Sequence, residues 1–232
     1  MPKGVLFDLD GTLLDSAPDF IVSLDNLLRK HNQPKIDPEI IRNHVSDGSW
    51  KLVSLGFDIN ISDERCAVLR QELLEEYESN LLKFGGAFDG IKEMLVSLEK
   101  DDIPYGIVTN KPLRFAAPIL KNEIAFKNCK TLVCPDHITN IKPDPEGILR
   151  GCKNLGVQPS DCVYVGDHLK DLEAGINAGT KVIACYFGYS LKATDHDKHI
   201  HGANHPNELY LSLIHISEPT RPRLISYAVF CL

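Results

Sequence analysis

The chain has 232 residues, of which 43% are hydrophobic and 25% charged, with a formal net charge of −7. That allows one large domain, or a core with a smaller companion, and the acidic balance without a basic run counts against nucleic acid or an anionic membrane as partner. Seven cysteines without a CxxC pair give neither a disulfide framework nor a zinc site, so reduced thiols in a cytoplasmic protein are expected.

In chain order, "GVLFDLD" (residues 4–10) reads as a short buried strand ending in polar residues. Asp8 breaks this apolar stretch, so no signal peptide is expected, and no run approaches the ~18 apolar residues of a membrane span. Residues 17–83 change character. "APDFIVSLDNLLRKHN", "DPEIIRNHVSDGSWKLVSLGF" and "SDERCAVLRQELLEEYESNLLKF" carry helical apolar spacing. Asp15 and Ser16 are expected to cap the first of these helices, and Ser62 is a fair cap for the last. After "GGAFDG" the pattern alternates. Helices over about 89–100 and 112–122, then "DPEGILRGCKNLG" and "LKDLEAGINAG", precede the strands "PYGIVTN", "TLVCPD", "DCVYVGD" and "KVIACYF" in turn. Such alternation predicts a doubly wound α/β fold with a mainly parallel sheet. The expected division is a core of 1–14 and 84–211 with an inserted helical cap of 15–83. Residues 212–232, "SLIHISEPTRPRLISYAVFCL", look like translated adapter read-through. They are expected to be a non-native or disordered tail, an ordinary extension being the other reading.

Ligands of open parallel sheets bind at the C-terminal ends of the strands. The polar residues there are Asp8, Asp10, Gly11 and Thr12, then Thr109, Asn110 and Lys111, then Lys142, Asp167 and Asp171. Alternation along a strand points Asp8 and Asp10 the same way, and neighbouring carboxylates raise each other's pKa. A divalent cation held by Asp8, Asp10 and Asp167 removes that conflict, and oxygen-only ligation suits Mg²⁺. The set matches the needs of phosphoryl transfer, in which positioning and electrostatics dominate. Asp8 can attack phosphorus, Asp10 can move the proton, and Lys142, Thr109 and the Asn110 N–H can hold phosphate oxygens.

"FDLDGTLLDS", "VTNKP", "IKPDPE" and "VGDHLKD" resemble, in order, the four motifs of the haloacid-dehalogenase-like phosphatases, over roughly residues 1–210. The resemblance implies that Asp8 is the nucleophile and Asp10 the general acid/base. It implies Thr109 and Lys142 on phosphate, Asp167 on Mg²⁺, and Asp171 supporting the metal, with Gly11 and Asn110 assisting. Asp10 sets the chain apart from the dehalogenases of that family, which lack an aspartate there. Asp8 and Thr109 are 101 residues apart, but Thr109 and Lys142 only 33, so the cap must fill the first gap. "HVSDGSW" (44–50) is either the loop that reads the leaving group, through Asp47, Gly48 and Ser49, or a plain inter-helix turn. "DSAPDF", "VTNKPLRFAAPIL" and "CPDHITNIKPDPE" resemble phosphoglycolate phosphatases and a branch acting on N-acetylmuramic acid 6-phosphate. Two departures stand out. Asp47-Gly48 replaces Gly-Gly, which adds a carboxylate near an anionic substrate, and His168 follows Asp167.

The expected activity is Mg²⁺-dependent hydrolysis of a small phosphorylated metabolite by a monomer or homodimer. A non-catalytic binding protein on the same fold and a phosphomutase are the alternatives. Several features read as bland. His196, His199, His201 and His205 fit a solvated loop better than a metal site. Gly151 and Gly156 have P-loop spacing, but Val157 and Gln158 replace the required Lys and Ser/Thr. Arg114 fits a solvated face as well as a substrate contact, and Trp50 fits cap packing, with a substrate contact open.

Overall fold

The computed structural model describes residues 1–192 and 201–216. Strand β1 (Gly4–Phe7) sends Val5 and Phe7 into one apolar cluster and Leu6 into another, as strand alternation requires. It is flanked by β4 (Tyr105–Val108) and β6 (Cys162–Gly166). Outside these lie β5 (Leu132–Val133) on one side, with β7 (Lys181–Cys185) and β8 (His201–Ala203) on the other. The order is β5-β4-β1-β6-β7-β8, and every pairing is parallel. Helices α5 (Ile91–Lys100), α6 (Leu113–Asn122), α7 (Glu146–Leu155) and α8 (Leu169–Asn177) follow or precede these strands as the alternation predicts. The short β5 reflects Pro135, which starts a 3₁₀ turn where the strand would otherwise continue.

Four helices stand between β1 and the rest of the sheet. They are α1 (Ala17–Lys30), α2 (Pro38–Asn43), α3 (Ser49–Phe57) and α4 (Glu64–Asn80). They share an apolar cluster of their own, including Leu24, Leu52, Leu73 and Tyr77, into which Phe115 and Tyr189 of the sheet domain also project. The chain leaves and returns through an antiparallel pair, β2 (Leu14–Asp15) with β3 (Gly86–Ala87). The return is pinned by buried Asp19, whose carboxylate accepts from the N–H groups of Leu82, Phe84 and Gly85 at 2.8–3.1 Å. Three donors on one buried carboxylate satisfy backbone groups that would otherwise be stranded at this turn.

Three expectations need correction. Ser16 sits at the N-cap of α1 but makes no side-chain capping bond. Asp15 is drawn instead into a bidentate pair with Arg42 at 3.1 Å and accepts from the Tyr189 hydroxyl at 2.8 Å. The cap of α4 is Asp63, accepting from Arg65 N–H, rather than Ser62. The expected tail boundary at 212 falls inside a helix, α9 (Leu209–His215), whose Leu213, with the following Ile216, is buried in the main cluster. Residues 217–232 lie outside the described residues, as do His196 and His199 of the histidine-rich stretch.

Candidate active site

The loops after β1, β4 and β6 converge on one cavity of about 350 Å³, roofed by the segment that joins α2 to α3. Asp8, Asp10, Thr109, Asn110, Lys142 and Asp171 all line it, together with Ser46, Asp47, Gly48 and Ser49 from the roof. Gly11 and Asp167 lie beneath. Gly11 has φ +78°, and a Cβ there would stand 2.3 Å from Asp167 Oδ2, so only glycine allows this turn and this approach. Gly188 does the same from the other side, where a Cβ would meet Asp167 Cβ at 2.3 Å.

The buried charges are organised around Lys142, itself 4% exposed. Its ammonium donates to Asp171 Oδ1 at 2.6 Å, the Tyr164 hydroxyl at 2.8 Å and the Val108 carbonyl at 3.2 Å. With three protons committed, its 2.9 Å approach to Asp8 Oδ1 is a charge contact, and that oxygen is left buried without a hydrogen-bond partner. The Asn110 amide clamps the Lys142 backbone from both sides, donating to its carbonyl and accepting from its N–H, each at 3.1 Å. Thr109 Oγ1 accepts from Lys111 N–H at 3.2 Å.

One oxygen from each of Asp8, Asp167 and Asp171 lies within 4.8 Å of the others. Burial raises Asp8, the Lys142 ammonium opposes this, and Asp171 adds to the rise, leaving the carboxyl at about 6. Asp167 is pushed well above the usual carboxylate range by burial, then by Asp171 and Asp8. Its contacts are the Tyr189 N–H at 2.9 Å, the Ser46 hydroxyl at 3.1 Å, and the Thr12 hydroxyl at 3.5 Å. An orphaned oxygen, three crowded carboxylates and a glycine-lined floor make a site that a hard divalent cation fits.

Asp10 lines the same cavity but has its own partner. Its carboxylate is not part of this triad but accepts from Lys111 Nζ at 2.8 and 3.0 Å, and the same ammonium donates to the Tyr77 hydroxyl at 2.6 Å. Asp171 takes its place among the clustered carboxylates. The two aspartates of "FDLD" thus escape mutual repulsion through separate lysines. Sequence reasoning missed Lys111 as the partner of Asp10, although it directly follows Thr109-Asn110.

The roof explains both departures seen in the sequence. His168 Nδ1 accepts from Lys170 N–H at 3.0 Å. That assigns the ring proton to Nε2, which faces Asp47 Oδ1 at 3.5 Å, while His44 Nδ1 meets Asp47 Oδ2 at 2.6 Å. Partial burial works to raise Asp47, but these two imidazoles outweigh it and hold the carboxyl below its usual value. The additional carboxylate is thus tied to histidines of the roof and the floor.

Comparison with known proteins now decides the family. Residues 5–185 match the model of the haloacid dehalogenase-like hydrolases. The chain belongs to that family. It is 42% identical over 211 residues to the N-acetylmuramic acid 6-phosphate phosphatase of Pseudomonas aeruginosa, covering 89% of this chain and 92% of that protein. It is 36% identical over 188 residues to the phosphoglycolate phosphatase of Xylella fastidiosa, covering 81% and 82%. Among solved structures, a predicted phosphoglycolate phosphatase from Haemophilus somnus has a TM-score of 0.78 at 23% identity, covering 93% and 98% of the two chains. That likeness shows the shared fold.

Removing divalent metal has a signed consequence. Asp8 and Asp167 both have folded values above those of free carboxyls, so they favour the metal-free fold when protonated. The contribution of Asp8 is present below about pH 4 and is lost as pH rises through about 6, and that of Asp167 is likewise present at low pH and lost above the usual carboxylate range. For Asp8 it is worth on the order of 3 kcal/mol. The melting temperature in EDTA should therefore fall between pH 5 and pH 7, and Mg²⁺ should restore it at pH 7.5. A melting curve indifferent to both would contradict the reading of these carboxylates as a cation site.

Proposed function

We propose that the chain is a Mg²⁺-dependent phosphomonoester hydrolase of small metabolites, acting through an aspartyl-phosphate on Asp8. The observation that carries this is Asp8 at the cavity, with its buried Oδ1 2.9 Å from the Lys142 ammonium. Asp8, Asp167 and Asp171 are the residues that would hold the ion. When bound, it would offset the carboxylate repulsion and help neutralise the phosphoryl charge.

In the first half-reaction an Asp8 oxygen forms a bond to phosphorus while the ester P–O bond breaks, and Asp10 gives its proton to the departing alkoxide. Lys142, the Thr109 hydroxyl and the Asn110 N–H stabilise the phosphoryl oxygens. In the second, water attacks phosphorus, Asp10 takes its proton, and phosphate leaves with Asp8 restored. Asp10, held at 2.8 Å by the Lys111 ammonium and lining the cavity, is positioned to serve as base in the second step. The roof, with Ser46 reaching Asp167, excludes competing water.

Two substrates follow from the relatives. Phosphoglycolate is the class reading, and N-acetylmuramic acid 6-phosphate is the second, favoured by the 42% identity to a phosphatase of that name. We place the protein in the cytoplasm. Its described cysteines are free, and no described helix is long and apolar enough to cross a membrane. The test is phosphate release by purified protein from a phosphomonoester panel including both compounds, in Mg²⁺ and in EDTA. Metal-dependent release from a small acid phosphate is expected. Silence across the whole panel with metal present would overturn the proposal.

A further inference from the structure

The cations facing the cavity are unequally matched. Lys142 answers Asp8 and Asp171, Lys111 answers Asp10, and the nearby His168 faces Asp47. Lys170 is on the rim and exposed, where water solvates it. Arg70 differs from all of these. It is half-buried on α4, lines the cavity, and has no carboxylate within ion-pair distance among the described residues. Burial lowers its pKa, and the Arg114 guanidinium from α6 lowers it further. Arg70 is thus a cation at the cavity wall for which the described residues supply no anion, an arrangement that an arriving anion would relieve.

The surroundings of Arg70 give its role a shape. Its Nε donates to Ser49 Oγ at 2.8 Å, and its guanidinium lies 4.8 Å over the Trp50 ring. Stacking and one anchored N–H fix the plane of the group, leaving its terminal N–H groups for a second partner. Ser49 and Trp50 belong to the first turn of α3, directly after the roof loop. Arg70 therefore stands on the cap side of the cavity, and the phosphoryl-binding residues stand on the sheet side.

We infer that Arg70, oriented by Ser49 and Trp50, binds a carboxylate on the leaving group, so that the substrates are phosphomonoesters of hydroxy acids or acidic sugars. This rests on the phosphomonoesterase reading. A planar, singly charged carboxylate matches the fork of a fixed guanidinium. A second phosphate would bring twice the charge toward the Asp47 carboxylate on the same roof. Both relatives named above act, by their names, on phosphates of acids.

The test compares matched pairs. N-acetylmuramic acid 6-phosphate is set against N-acetylglucosamine 6-phosphate, and phosphoglycolate against 2-hydroxyethyl phosphate, with a hexose bisphosphate as a further arm. The wild type should favour at least one acid over its partner in kcat/KM. Arg70→Gln should lower that ratio by ~10- to 100-fold, with Arg70→Lys between the two. An unaltered ratio in Arg70→Gln, or an Arg70-dependent preference for the bisphosphate, overturns the inference. Calorimetry with N-acetylmuramic acid and glycolate, against N-acetylglucosamine, needs no turnover. Binding of an acid that is lost in Arg70→Gln upholds the carboxylate site even if no phosphomonoester is hydrolysed, in which case the phosphatase reading alone fails. Neither hydrolysis nor Arg70-dependent binding overturns both.

Discussion

Asp8→Asn should lower turnover by ~10⁴-fold or more while leaving the melting temperature of the metal-free protein at pH 7.5 no lower than that of the wild type. The amide is nearly isosteric, so the strand end and the cavity keep their shape, but it cannot form the acyl phosphate. The stability half of the expectation is less obvious. Asp8 is a carboxyl raised to about 6 by burial and by its neighbour Asp171. At pH 7.5 it is an ion in a site that disfavours ions, and neutralising it relieves Asp167 and Asp171 in the same crowd. Lys142 retains Asp171, Tyr164 and the Val108 carbonyl. A variant that keeps a tenth of the wild-type rate would mean that another group attacks phosphorus.

Lys142→Ala carries the second large effect, and here the fold suffers with the chemistry. Lys142 is held in the charged form above its ordinary value, since Asp171 and Asp8 outweigh the burial that opposes them. Breaking such a buried pair leaves carboxylates uncompensated, at about 3–5 kcal/mol. That corresponds to a melting temperature lower by roughly 10 °C in EDTA. Mg²⁺ should recover part of this loss, because a cation among Asp8, Asp167 and Asp171 opposes the same repulsion. Activity should stay low even when stability recovers, since the phosphoryl oxygens have lost their ammonium. Equal loss of stability in EDTA and in Mg²⁺ would separate Lys142 from the carboxylate cluster.

These expectations show which parts of the site were legible in the sequence. The position of polar residues at the ends of strands predicted to be parallel brought Asp8, Thr109, Lys142 and Asp171 to one place, and the parallel sheet positions them so. The 101-residue gap located the cap. The pairing of the Asp10 carboxylate with Lys111 was not legible in the sequence. β1 ends at Phe7, so alternation no longer governs the residues after it, and the choice between a cation and Lys111 depends on a helix start 101 residues away. Asp15 and Ser16 carried a cap signal that Arg42 and Tyr189 overrode by offering Asp15 stronger partners. Strand β8 and helix α9 were missed because each is short. Their apolar residues, Ala203, Leu209 and Leu213, make sense only against the main cluster they complete. Arg70 gave no sequence signal at all. It reads as one of many charges on α4, and its place in the cavity comes from tertiary packing alone.

The most direct test of the central claim is Mg²⁺-dependent binding of BeF₃⁻, a mimic of the phosphoryl group on a carboxylate, followed by ¹⁹F NMR. A wild-type protein with bound-fluoride signals that need Mg²⁺ and vanish in Asp8→Asn would agree with an aspartyl-phosphate on Asp8. Signals that persist in Asp8→Asn, or no binding by an intact wild-type protein with Mg²⁺ present, would contradict it.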